Sequence, residues 1–160
     1  MALHSRVLSL LFVKADRTLS ERVPAPPDAV RGFYVDLNNI RLVHPLIVSV
    51  ETLSRSETPQ GYQQSYRVVD RIPLGPLTIR TAYRARLLVP ASGDVLTEAD
   101  QSPGVRLRGT VSFEPVDGGT RVTERIRIAA PRPLARVTIR EAVKAHIKML
   151  AGIRLHFESG

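Results

Sequence analysis

The chain has 160 residues, no cysteine, 43% hydrophobic content and a net charge of +8 at neutral pH. This fits a single domain over residues 1–160 with a core of its own, and it excludes a disulfide frame, a thiolate nucleophile and a Cys-ligated zinc. No apolar run approaches the ~20 residues that a membrane span needs, and a cysteine-free chain suits a reducing compartment, so the cytoplasm is the expected location.

Residues 1–15 contain Arg6 and the short apolar run 7–13. That run is at the bottom of the signal-peptide range and is interrupted by Ser9, so the segment is read as a first strand or as an N-terminal extension leading into it. A strand at 18–23 stops at Pro24-Ala25-Pro26-Pro27. Asp28 then serves as a helix-start acid for a short helix over 29–37, with Val30, Phe33, Tyr34 and Leu37 inward. Asn38-Asn39 breaks that helix, and a second short one at 40–43 ends before Pro45, because the residue preceding proline disfavours the α region.

From residue 47 to 130 the period becomes two. Strands are expected at 47–56, 62–72, 77–89, 94–101, 105–114 and 120–129, separated by short turns rich in Gly and Pro. Short links between alternating strands indicate an antiparallel meander. In 77–89, Ile79, Thr81, Tyr83, Ala85, Leu87 and Val89 share one face while Arg80, Arg84 and Arg86 share the other. Leu107, Gly109 and Val111 oppose Arg106 and Arg108; Val122, Glu124, Ile126 and Ile128 oppose Arg121, Arg125 and Arg127. The sheet therefore has an apolar inner face and an arginine-rich outer one. The last element is a helix over 134–158, opened by Pro131 and Pro133. Ile139, Val143, His146, Leu150, Ile153 and Phe157 step by three and four and form one face. The fold class is α+β: a curved antiparallel sheet of about seven strands around a long C-terminal helix, with two short helices closing one end.

Three segments carry a family resemblance. Val23-Pro24-Ala25-Pro26-Pro27-Asp28-Ala29-Val30, followed by Phe33, Asp36 and His44-Pro45, is one. Phe113-Glu114-Pro115 with Gly118-Gly119-Thr120-Arg121-Val122 is the second, and the terminal amphipathic helix is the third. In this order and spacing they resemble the START-like (SRPBCC) helix-grip superfamily, and within it the polyketide cyclase/dehydrase-like proteins. Many members carry a tryptophan in the second short helix; this chain has none, and Leu42-Val43-His44 stand there. The resemblance implies an apolar cavity between sheet and helix, and a ligand that is a hydrophobic small molecule. It also implies two functions: a cyclase or dehydratase acting on a polyketide-like substrate, or a non-catalytic carrier or sensor for a lipid, sterol or isoprenoid.

Polar residues on the inward faces are then the candidates for chemistry. His146 interrupts the helix stripe and reads as a general acid or base, or else as a core histidine satisfied by a backbone group or water. Glu124 and Asp70 alternate in phase with apolar neighbours; a buried carboxyl tends to keep its proton, whereas one near the end of the sheet stays in water. These three are the catalytic candidates. Tyr66, Tyr83 and His44 are read as substrate-binding groups, with Phe33, Ile79, Leu107, Val111, Ile126, Val143 and Leu150 as apolar wall. No phosphate-binding glycine loop, dinucleotide fingerprint or nucleophile elbow is present, and His4, His44, His146 and His156 show no metal-ligand spacing. Neither a cofactor nor a metal is expected. The outer arginines could receive an acidic carrier protein. Nucleic acid is not expected there, because acidic residues interrupt the face and no aromatic residues interleave to stack bases.

Overall fold

The computed structural model describes residues 10–160, so most of the expected N-terminal extension, residues 1–9, lies outside the described part. Strand β1 is Phe12–Val23, six residues longer at its start than the alternation suggested. Helix α1 is Pro27–Tyr34, with Pro27 in the first turn and Asp28 beside it. Helix α2 is Leu37–Val43. The break between them falls at Val35-Asp36 rather than at Asn38-Asn39. The cause is a side-chain cap: the Asn38 backbone N–H donates to the Asp36 carboxylate at 2.9 Å, which starts α2 at Leu37, three residues after the end of α1 at Tyr34.

Six further strands follow: β2 Ile47–Glu57, β3 Gly61–Leu74, β4 Leu77–Pro90, β5 Val95–Gln101, β6 Val105–Val116 and β7 Gly119–Pro131. All neighbours are antiparallel and the sheet order is β1-β7-β6-β5-β4-β3-β2, a meander closed on one side by the first strand. Helix α3, Arg132–Glu158, has 27 residues and is therefore ~40 Å long. This is the helix-grip arrangement that the alternation and the terminal stripe predict.

The helix does not lie evenly on the sheet. Its closest strands are β1 and β7, and α2 presses on it from the other side. Its C-terminal half is packed solid: Met149, Leu150 and Ile153 meet Val30, Phe33, Tyr34 and Ile40 of the short helices and Tyr66, Val68, Leu87, Val95, Val111 and Val122 of the sheet. Gly152 makes the α2 contact possible. A Cβ at that position would stand 2.8 Å from Cβ of Val43, so α2 approaches α3 where α3 has no side chain. The N-terminal half carries Ala135, Ala142 and Ala145 on its inner side, and these are too small to reach β3, β4 and β5. Space remains there.

Candidate functional site

That space is a cavity of about 260 Å³ between the first half of α3 and the inner faces of β3 to β7. Its wall is mostly apolar, with Leu46, Ile72, Leu74, Ile79, Ala99, Val105, Leu107, Ile128, Leu134, Val137, Ala142 and Ala145. The chemistry-bearing side chains His44, Asp70, Tyr83, Glu141 and His146 lie on the same wall. Among the described residues, no group of three or more His, Cys, Asp or Glu is placed to hold a metal ion.

Two hydrogen-bonded pairs organise the polar part. His146 Nδ1 lies 3.1 Å from Oε1 and 3.3 Å from Oε2 of Glu124, so Nδ1–H donates to that carboxylate. Glu124 is 1% exposed, and it also accepts the Tyr34 hydroxyl on Oε2 at 2.5 Å. The result is a buried relay, Tyr34–Glu124–His146, assembled from α1, β7 and α3. Its outer end is His146 Nε2, the ring nitrogen left free of Glu124. Burial disfavours a charged His146, but the Glu124 carboxylate, its hydrogen bond and the nearby Asp70 outweigh that and hold the imidazole above its usual 6.5. The Tyr34 phenol is pushed well above 10.0, first by burial and then by the Glu124 charge, so it remains a donor.

The second pair is Asp70 and Tyr83 on adjacent strands β3 and β4. The Tyr83 hydroxyl is 3.2 Å from each Asp70 carboxylate oxygen. Burial raises Asp70 from 3.8 to about 6, against the opposing effects of the Tyr83 hydrogen bond and of His146. A carboxyl in that range exchanges its proton near neutrality. His44, at the end of α2, sets its ring against His146 at 5.6 Å between centroids, nearly perpendicular. Burial, aided by the neighbouring His146, pulls His44 down to about 3, so it stays neutral.

Of the residues singled out from the sequence, His146, Asp70, Tyr83, His44, Ile79 and Leu107 line the cavity together. Glu124 stands directly behind His146. Tyr66 does not reach the cavity; its hydroxyl donates to the Val35 carbonyl at 3.3 Å and its ring is core. Phe33, Val111 and Leu150 are also in the solid core, Phe33 packing on His156 and Phe157. Ile126 is buried away from the cavity wall. Val143 faces a shallow outer groove with Arg17, Ile139 and Ile147. Only the first half of the helix departs from the expected stripe: Ala142 and Ala145 face the cavity where Ile139 and Val143 were expected, whereas His146, Leu150 and Ile153 face inward as expected.

Sequence reasoning missed Tyr34 as a site residue and Glu141 entirely. A signal for Glu141 exists in the recurrence of Thr138, Glu141, Ala142 and Ala145 at helical spacing. None exists for Tyr34, whose carboxylate partner is 90 residues away.

Residues 14–153 match the family described as "Polyketide cyclase / dehydrase and lipid transport". The chain belongs to that family. No curated protein matches it. Among solved structures, the family fold recurs in the Zhui aromatase/cyclase from Streptomyces sp. R1128, at 18% identity and a TM-score of 0.63, covering 88% of this chain and 92% of that one. The di-domain aromatase/cyclase StfQ of the steffimycin biosynthetic pathway is similar at 13% identity and a TM-score of 0.68, over 93% of this chain and 51% of StfQ. A STAR-related lipid transfer protein from Xanthomonas axonopodis gives 18% identity and a TM-score of 0.58, over 89% and 85% of the two chains. Family membership thus spans catalysts and lipid carriers, and among the described residues no helix is long and apolar enough to cross a membrane.

Proposed function

We propose that this family member is a cyclase/dehydratase acting on a hydrophobic, polyketide-like chain held in the cavity. The observation that supports this reading is the pairing of a His146–Glu124 dyad with a protonatable Asp70 on one mostly apolar wall. In the protonation state with His146 neutral and Asp70 protonated, His146 Nε2 takes a proton from a carbon next to a substrate carbonyl, and Glu124 stabilises the imidazolium that results. Asp70 gives its proton to the departing hydroxyl, which leaves as water while the carbon–carbon double bond forms. In ring closure the same enolate carbon attacks a second carbonyl, and Asp70 protonates the oxygen. Apolar walls fold the chain and exclude water, which supplies orientation. Tyr83 holds Asp70 toward the cavity.

The test is incubation of the protein with a hydrophobic β-hydroxy ketone, followed by mass spectrometry. Wild type is expected to release the dehydrated or cyclised product, and His146→Ala to retain the ligand unchanged. Unchanged ligand from both proteins would instead favour a carrier of a lipid, sterol or isoprenoid. The apolar lip, where Leu134 is 41% and Ile79 is 43% exposed, also suits ligand uptake and release.

A further inference from the structure

We infer that His44 is a further catalytic residue, whose Nε2–H donates a hydrogen bond to the substrate carbonyl oxygen and holds its charge in the enolate. This rests on the cyclase/dehydratase reading and assigns it an electrophilic group. Helix α2 ends at His44 because proline follows, and the His44 backbone N–H closes the helix on the Ile40 carbonyl at 2.8 Å. The chain then turns so that the Leu46 N–H donates to His44 Nδ1 at 3.2 Å. A ring nitrogen that accepts carries no hydrogen, so in the neutral ring the hydrogen sits on Nε2.

That hydrogen has no acceptor among the described residues, although the ring lies on the cavity wall. The other ring and phenol donors of the site are committed: Tyr83 to Asp70, Tyr34 to Glu124 and His146 Nδ1 to Glu124. Placement fits the need. The two rings are 5.6 Å apart, so a carbonyl oxygen at His44 sets the adjacent carbon beside His146. Burial keeps His44 neutral at about 3, so it donates a hydrogen bond without surrendering its proton. A fixed donor aimed where negative charge develops lowers the barrier more than it tightens ground-state binding.

The probe is α-tetralone, a bicyclic ketone that only accepts hydrogen bonds, compared with tetralin, which lacks the oxygen. Infrared spectroscopy of bound α-tetralone in wild type is expected to show a lowered carbonyl stretch. His44→Phe should abolish that shift and weaken α-tetralone about fivefold, with tetralin unaffected, and His44→Gln, whose amide N–H falls near Nε2, should restore part of it. A shift that persists in His44→Phe, or equal weakening of both ligands, overturns the assignment while leaving the cavity reading intact. Failure of wild type to bind either ligand removes the cavity reading and this inference together. Nitrogen-15 NMR of the unmodified protein gives a test independent of the variants' folding: Nδ1 is expected bare and Nε2 protonated, with Nε2–H moving on α-tetralone addition. The opposite tautomer overturns the inference.

Discussion

Glu124→Gln removes the charge behind His146 while keeping the shape of the side chain. In the wild type, burial lowers the His146 pKa, and the Glu124 charge and hydrogen bond, with a smaller contribution from Asp70, reverse that lowering. Without the Glu124 contributions, burial dominates, and His146 should titrate below its ordinary 6.5 instead of above it. The energetic effect follows from what is lost. The Gln carbonyl still accepts the Tyr34 hydroxyl, so the change is mainly one charge-assisted bond to His146, about 2 kcal/mol. For a domain of this size that corresponds to a fall of ~4–8 °C in Tm. The sign of the pH dependence is fixed. A group whose folded pKa is raised adds stability that is fully present below its unfolded value and lost as pH rises through the folded one. The wild type should therefore exceed the variant most near pH 6 and least near pH 9. Proton NMR titration of the His146 ring, with thermal unfolding at both pH values, checks this. A His146 that titrates in Glu124→Gln at or above its wild-type value, or a Tm loss equal at both, would refute the relay.

Tyr83→Phe removes a hydrogen bond that lowers Asp70, so the Asp70 carboxyl should rise further above about 6; carbon-13 NMR of the carboxyl reads this directly, and a downward shift would show that Tyr83 does not hold Asp70. Gly152→Ala forces a methyl group to 2.8 Å from Val43 Cβ, an overpacking of about 1–3 kcal/mol. Chemical denaturation should show the loss, and the His44 and His146 ring resonances should move together; an unchanged stability would mean that α2 does not bear on α3 as closely as described.

The sheet was legible because its signal is local. Each strand alternates on its own, so Glu124 and Asp70 could be placed inward from their neighbours alone, and the arginines outward. On the outer face three of those arginines meet acids, Arg86 with Glu98, Arg108 with Asp100 and Arg127 with Asp16. The helix was less legible. Counting large apolar residues favours Ile139 and Val143, but this helix grips its sheet with alanines, whose small side chains weigh little in such a count. Which side of its first half faces the sheet decides which residues see the cavity, and that is set by contacts with β1 and β7 that no stretch of helix encodes by itself. Tyr66 read as a binding group and Val111 and Leu150 as cavity wall because strand alternation and a helix stripe tell in from out, but not whether the inside is full or empty at that point.

The empty part has a thermodynamic meaning. At ~24 cal/mol per Å³, the range found for cavities left in protein cores, 260 Å³ corresponds to roughly 6 kcal/mol of packing that the ligand-free protein forgoes. Water admitted at the mouth makes that an upper figure, yet it is comparable with the whole stability of a typical domain, about 5–15 kcal/mol. Larger side chains at Ala142 or Ala145 would grow into free space and recover part of it, so on stability alone these positions would drift upward in size. On the proposed reading, their smallness sets fitness for a ligand against the protein's own robustness, and an occupied cavity is the state in which the two demands coincide.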